Sequence, residues 1–64
     1  MKVTFRVFKK IDGGWEEELI AQEERKFNLF KREEKIRDNA YYLLAKFSGD
    51  LVRADMNKRT ILFT

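Results

Sequence analysis

The stretch Trp15-Glu16-Glu17-Glu18-Leu19-Ile20-Ala21-Gln22-Glu23-Glu24-Arg25-Lys26-Phe27 decides the fold, because it admits two conformations and the segments around it read more plainly. As a helix over residues 16–27 it places Glu16, Glu17 and Glu18 in the first turn and Arg25 and Lys26 in the last, as the helix dipole favours. As a strand near residues 15–21 it follows Ile11-Asp12-Gly13-Gly14, and Asp-Gly or Gly-Gly between strand-like runs is the strongest short-range hairpin signal, because these residues accept positive φ. The strand is the reading preferred; the helix stays open as its rival, since the run is Glu-rich and contains Ala21 and Gln22.

Upstream, Lys2-Val3-Thr4-Phe5-Arg6-Val7-Phe8-Lys9 alternates apolar Val3, Phe5 and Val7 with Thr4 and Arg6, the period of a half-buried strand. Phe8 falls on the Thr4 and Arg6 face, so an aromatic ring and a cation share the less buried side. Downstream, from Asn28 or Leu29 to Phe47, Leu29, Ile36, Ala40, Leu43, Leu44 and Phe47 recur at helical spacing. Ser48-Gly49-Asp50 then supplies the glycine expected just past a helix end. In the last segment, a two-residue turn at Asn57-Lys58 would pair Met56 with Arg59, Ala54 with Ile61 and Val52 with Phe63.

The fold class that follows is α+β: a small β-β-α-β-β domain, an antiparallel sheet with one helix packed on one face. The covered face carries Val3, Phe5, Val7, Val52, Ala54, Ile61 and Phe63. The open face presents Thr4, Arg6, Phe8, Arg53, Thr60 and Leu62. With no proline, no low-complexity stretch and no internal repeat, residues 1–64 read as a single compact domain.

A chain of 64 residues hides only about 60% of the surface its unfolded form exposes. With neither Cys nor His, disulfides and the usual zinc sites cannot staple it, and thiol, Ser-His and imidazole chemistry are excluded. Six Phe, two Tyr and one Trp carry the apolar payload instead. There is no phosphate-binding glycine loop or dinucleotide fingerprint, so no cofactor and no metal are expected. No apolar run follows Met1; neither a signal peptide nor a membrane partner is expected, and a cytoplasmic location fits.

The net charge is +3, and the charges are sorted along the chain. Residues 16–24 hold five Glu and no base, while residues 25–37 hold Arg25, Lys26, Lys31, Arg32, Lys35 and Arg37 against Glu33 and Glu34. Part of the latter run reads as an ordinary solvated helix face with Glu33 and Arg37 four apart. As a functional surface, Arg25, Lys26, Lys31, Arg32 and Lys35 form a basic stripe for phosphates or for an acidic protein patch. Cations at a helix N-terminus oppose its dipole, which suggests that a partner keeps them there. The acidic run reads as a solvated sheet edge that discourages pairing with other chains.

On the open face, Phe8 with Arg6 and Arg53 offers a stacking platform for single-stranded nucleic acid, where each stacked base contributes about 1–3 kcal/mol. Against this, Phe8 and Leu62 can simply cover each other. Adjacent helix residues point about 100° apart, so Tyr41 and Tyr42 cannot both be central to the core, and Tyr41 is a candidate interface anchor. Asp12 followed by Glu24-Arg25-Lys26 has the loose form of the Asp then Glu-x-Lys set of metal-dependent nucleases. Glu33-Glu34-Lys35 repeats it cheaply, and those nuclease cores need a larger sheet, so no enzymatic activity is expected.

The function expected is a non-enzymatic small regulator or inhibitor docking on a larger protein or ribonucleoprotein machine. In size and organisation the chain looks like the compact accessory proteins of phages and mobile elements, an analogy of fold and size only. The alternatives are DNA or RNA binding through the basic, aromatic sheet face and basic helix, and a structural homodimer.

Overall fold

The structure, a computed structural model, describes residues 1–12, 14–28 and 30–64. Gly13, read above as part of the hairpin turn, and Leu29, read as a helix position, lie outside the described residues. The elements run β1 (Lys2–Ile11), β2 (Glu16–Lys26), α1 (Arg32–Phe47), β3 (Leu51–Met56) and β4 (Arg59–Phe63). The strands form one antiparallel sheet in the order β2-β1-β3-β4.

The segment 16–26 is therefore a strand, running five residues past the end of the reading near 15–21, and Trp15 lies in the turn before it rather than in it. Its pairing explains the extra length. Val7 faces Ala21 while Phe8 faces Leu19, so Ile20 is the additional residue of a β-bulge. Without the bulge, Leu19 and Ala21 would share a face. With it, Ala21 joins Val7 on the helix side and Leu19 joins Phe8 on the open side.

The helix starts at Arg32, not at 28 or 29. Asn28 turns the chain instead, its Oδ1 accepting the Phe30 N–H at 3.1 Å, and Lys31 takes a left-handed conformation (φ 53°) from which its carbonyl accepts the first helical bond from Lys35 at 3.0 Å. At the other end Ser48, not Gly49, adopts the left-handed conformation (φ 52°). The Gly49 N–H donates to the Leu44 carbonyl at 3.0 Å and the Ser48 N–H to the Ala45 carbonyl at 3.4 Å, the two bonds of a Schellman ending. Gly49 serves a different need: a Cβ there would stand 2.4 Å from Val7 Cγ1. It is glycine because the chain passes too close to the core for a side chain.

The core joins Val3, Phe5, Val7, Val52 and Ala54 of the sheet to Ile36, Ala40 and Leu43 of the helix, with Phe27 set edge-on to Phe5 at 6.1 Å. The β3–β4 register is the one expected, Val52 opposite Phe63, Ala54 opposite Ile61 and Met56 opposite Arg59. The helix lies over β1, β3 and β4, so β2 is covered on neither face and only Ala21 and Glu23 of its residues are even half-buried. β3 pairs with β1 only from Thr4 to Phe8. Past that point Asp50 ends the inner ladder, its N–H donating to the Phe8 carbonyl and its carboxylate accepting the Lys10 N–H, at 2.8 and 2.7 Å. Beyond it, β1 and β2 continue as a two-stranded arm, which helps stretch the molecule to 40 Å against 22 and 15 Å in the other directions.

Candidate functional site

Three surfaces carry the side chains singled out from the sequence. On the open sheet face, alternation along β1 and β3 brings Arg6 and Arg53 directly opposite each other. Two cations so placed repel, and Asp55 neutralises them. Arg6 Nη1 donates to Asp55 Oδ2 at 2.5 Å and Arg53 Nε to the same oxygen at 3.0 Å, while the Thr60 hydroxyl donates to Oδ1 at 2.8 Å. Desolvation at this half-buried position raises the Asp55 carboxyl pKa, but the hydrogen bonds from Thr60 and Arg53 and the charges of Arg53 and Arg6 outweigh it and hold it below the ordinary carboxylate value. The Arg53 guanidinium also lies over Phe8, 5.6 Å from the ring centre. Arg6, Phe8 and Arg53 are thus together as expected, but their charges and the Phe8 ring are already engaged within the sheet.

Leu51, opposite Phe8 on β3, and Leu19, opposite it on β2, extend this face as an apolar row that the sequence reading did not name. Leu62, opposite Arg53, is 60% exposed. Phe8 and Leu62 therefore do not bury each other.

The basic stripe is divided among three elements. Arg25, near the end of β2, is bonded to Glu23; Lys26 closes β2; Lys31 precedes the helix with its ammonium 5.5 Å from the Phe30 ring; Arg32 and Lys35 begin the helix. Among the described residues, Lys26, Lys31, Arg32 and Lys35 have no carboxylate within ion-pair distance. Glu33 does not pair with Arg37 four residues on; it reaches Arg59 of β4 at 2.5 Å, and Arg37 turns to Asp38 at 3.6 Å. Tyr41 packs edge-on to Phe63 at 5.7 Å, lying at the margin of the core with part of its ring exposed, and Tyr42 lies beside Lys46.

The third surface is the arm. Trp15, in its end turn, is 94% exposed, and Ile11, Leu19 and Ile20 stand exposed along the strands behind it. Around them are Asp12, Glu16, Glu17 and Glu18, with Lys10 and Lys9 directly opposite Glu17 and Glu18. The signal for this tip was in the sequence: the only Trp directly follows the glycines of the turn.

Asp12 sits at this tip, whereas Glu24 lies opposite Thr4 toward the far end of the ladder. Eight residues of strand, roughly 26 Å at about 3.3 Å each, separate the pairing level of Glu24 from the tip, so the two carboxylates share no site. Among the described residues no group of three or more acidic side chains is close enough to hold a metal ion, and no helix is long and apolar enough to cross a membrane. No protein-family model matches the chain, and no curated protein or solved structure matches it.

Proposed function

We propose that this chain is a protein-docking module, a small regulator or inhibitor of a larger protein or ribonucleoprotein machine, which engages its partner through the β1–β2 arm. The observation that carries this reading is Trp15, almost wholly exposed at the end of a projecting ribbon. An indole buries roughly 200 Å² of largely apolar surface when enclosed, worth about 5 kcal/mol at about 25 cal/mol per Å², and Trp is among the commonest anchors of protein interfaces. The flanking Asp12, Glu16, Glu17 and Glu18 repel a phosphate backbone and suit a partner cleft with a cationic rim. On the open face, Asp55 already balances one of the two guanidiniums that would otherwise meet phosphates.

The test is co-purification of a partner with the tagged chain, compared with Trp15→Ala and with the pair Lys31→Glu, Arg32→Glu. Loss of the partner in Trp15→Ala alone is the expected result. A partner retained by Trp15→Ala and lost with the basic pair would sink the reading. Nucleic-acid binding keeps one observation in its favour, the cations Lys26, Lys31, Arg32 and Lys35 without carboxylate partners. It requires affinity for labelled oligonucleotides that falls steeply with salt, on the basic run rather than on Arg6 and Arg53.

A further inference from the structure

β2 is an edge strand eleven residues long, open on both faces and paired only on its β1 side. The ends of the strand are graded in charge, Glu16, Glu17 and Glu18 at the start and Arg25 and Lys26 at the finish, with Glu23 and Glu24 lying between and Arg25 bonded to Glu23. A strand graded in this way is complementary to itself when reversed. We infer that β2 pairs antiparallel with β2 of a second copy, across a two-fold axis at Gln22, to join two sheets into one of eight strands.

The register follows from the faces. Residues opposite each other across a two-fold axis must lie on the same side of the sheet. Because the bulge at Ile20 shifts the alternation, Glu17, Leu19, Gln22, Glu24 and Lys26 lie on the open side, and Glu18, Ala21, Glu23 and Arg25 on the helix side. With the axis at Gln22, Lys26 meets the partner's Glu17, Arg25 meets the partner's Glu18, and Ala21 meets the partner's Glu23. Four opposite-charge pairs result, two from each copy. Moving the axis to Ala21 sets Glu24 against the partner's Glu17; moving it to Glu23 sets Lys26 against the partner's Leu19. Only the Gln22 register matches both faces and charges.

A second observation points the same way. Within the chain Lys26 is directly opposite Lys2, a like-charge pair that disfavours the ladder, and the nearby Glu24 reaches Lys2 at 3.9 Å while Lys26 has no carboxylate within ion-pair distance among the described residues. The partner's Glu17 supplies the missing charge. The acidic run, which blunts the edge toward strangers, thereby becomes selective for a second copy. Trp15 lies outside the paired residues. Seven residues at about 3.3 Å separate it from the axis, so the dimer carries its two tips roughly 45 Å apart and facing opposite ways. The pairing does not use Trp15, so its failure leaves the docking reading untouched.

The experiment is sedimentation velocity from micromolar to near-millimolar concentration, at low and at high salt, on the unmodified chain and two variants. Glu17→Lys with Glu18→Lys makes residues 17, 18, 25 and 26, the positions that form the opposite-charge pairs, all basic, and Arg25→Glu with Lys26→Glu makes them all acidic. The unmodified chain should reach twice its 7.7 kDa mass, with weaker association at high salt. Each variant alone should stay monomeric, and an equimolar mixture should restore a heterodimer. A monomer at every concentration, a dimer that survives either charge reversal, or variants that do not complement each other would overturn the inference. Should a variant fail to fold by circular dichroism, amide exchange of the unmodified chain decides. Protection of the outward-facing β2 amides must rise with concentration, and protection independent of concentration refutes the pairing.

Discussion

Gly49→Ala tests the packing at its tightest point. The added Cβ would stand 2.4 Å from Val7 Cγ1 and 3.3 Å from the Phe8 carbonyl oxygen. Carbon atoms in contact rest about 3.5–4.0 Å apart, so the overlap with Val7 is roughly 1 Å or more. Val7 cannot easily give way: it is 1% exposed, β-branched with a stiff χ1, and set between Ala21 and Val52 in the sheet. Nor can the backbone retreat freely, because the Phe8 carbonyl is held by the Asp50 N–H at 2.8 Å. Overpacking of this kind costs about 1–3 kcal/mol, and with both escapes restricted the upper half of that range applies. At about 4–8 °C per kcal/mol for a domain of this size, the melting temperature should fall by roughly 10–20 °C. Thermal unfolding by circular dichroism measures it, and urea titration should show a lower midpoint with an unchanged slope. Val7→Ala should be less than additive with it, because the new methyl occupies the space that Val7 vacates. Gly49→Asn separates two explanations of this glycine, since Asn tolerates a left-handed backbone but brings the same Cβ. A melting temperature for Gly49→Ala within about 3 °C of the parent, or strict additivity with Val7→Ala, would refute the close-approach argument.

Ser48→Gly should stabilise the domain by about 0.5–1 kcal/mol, because Ser48 holds a left-handed conformation that glycine adopts without a Cβ penalty; an unchanged or lower melting temperature contradicts this. Asp55 contributes stability that is complete above about pH 4 and lost as pH falls through its lowered folded-state value, since the unfolded chain takes up the proton first. Asp55→Asn should therefore flatten the acid limb of the melting-temperature profile, and an acid limb as steep as that of the parent would show that other carboxylates set it. Trp15 fluorescence should be quenched by acrylamide as in a free peptide, with caesium favoured over iodide relative to a neutral tryptophan peptide because Asp12 and Glu16 stand beside the ring and Glu17 and Glu18 follow. Weak quenching, or a preference for iodide, would contradict the exposed acidic tip.

The elements most legible in the sequence were those whose pattern is local and unbroken. Val3, Phe5 and Val7 alternate without interruption, Ile36, Ala40 and Leu43 keep helical spacing, and a two-residue turn at Asn57-Lys58 leaves one sensible register for β3 and β4. β2 was harder because Leu19, Ile20 and Ala21 are three apolar residues in a row, which fits no simple period until the bulge is known. The helix start was misread for a comparable reason: the Asn28 side chain and the left-handed Lys31 interrupt the run before Arg32, and neither alters the apolar spacing.

For the candidate surfaces, Arg6, Phe8 and Arg53 were grouped correctly by alternation. Asp55, which changes what the two arginines can do, was within reach of the same argument, being two residues from Arg53 and opposite Thr60. The place of Trp15 beside the turn was legible, but its exposure was not, since an aromatic beside a turn serves equally well to cover a sheet as to leave it.

The arm has a consequence for how this chain can change over generations. Past Phe8 the two strands of the ribbon pair only with each other, tied to the body by the Lys9 ammonium on the Ser48 carbonyl and the Lys10 N–H on Asp50, and the core from Val3 to Val7 ends before the ribbon begins. Removing or adding two residues on each strand together would shorten or lengthen the reach by about 7 Å without turning any side chain to the other face. The tip is then an appendage whose length, charge and aromatic side chain can vary while the core that holds it keeps its own packing.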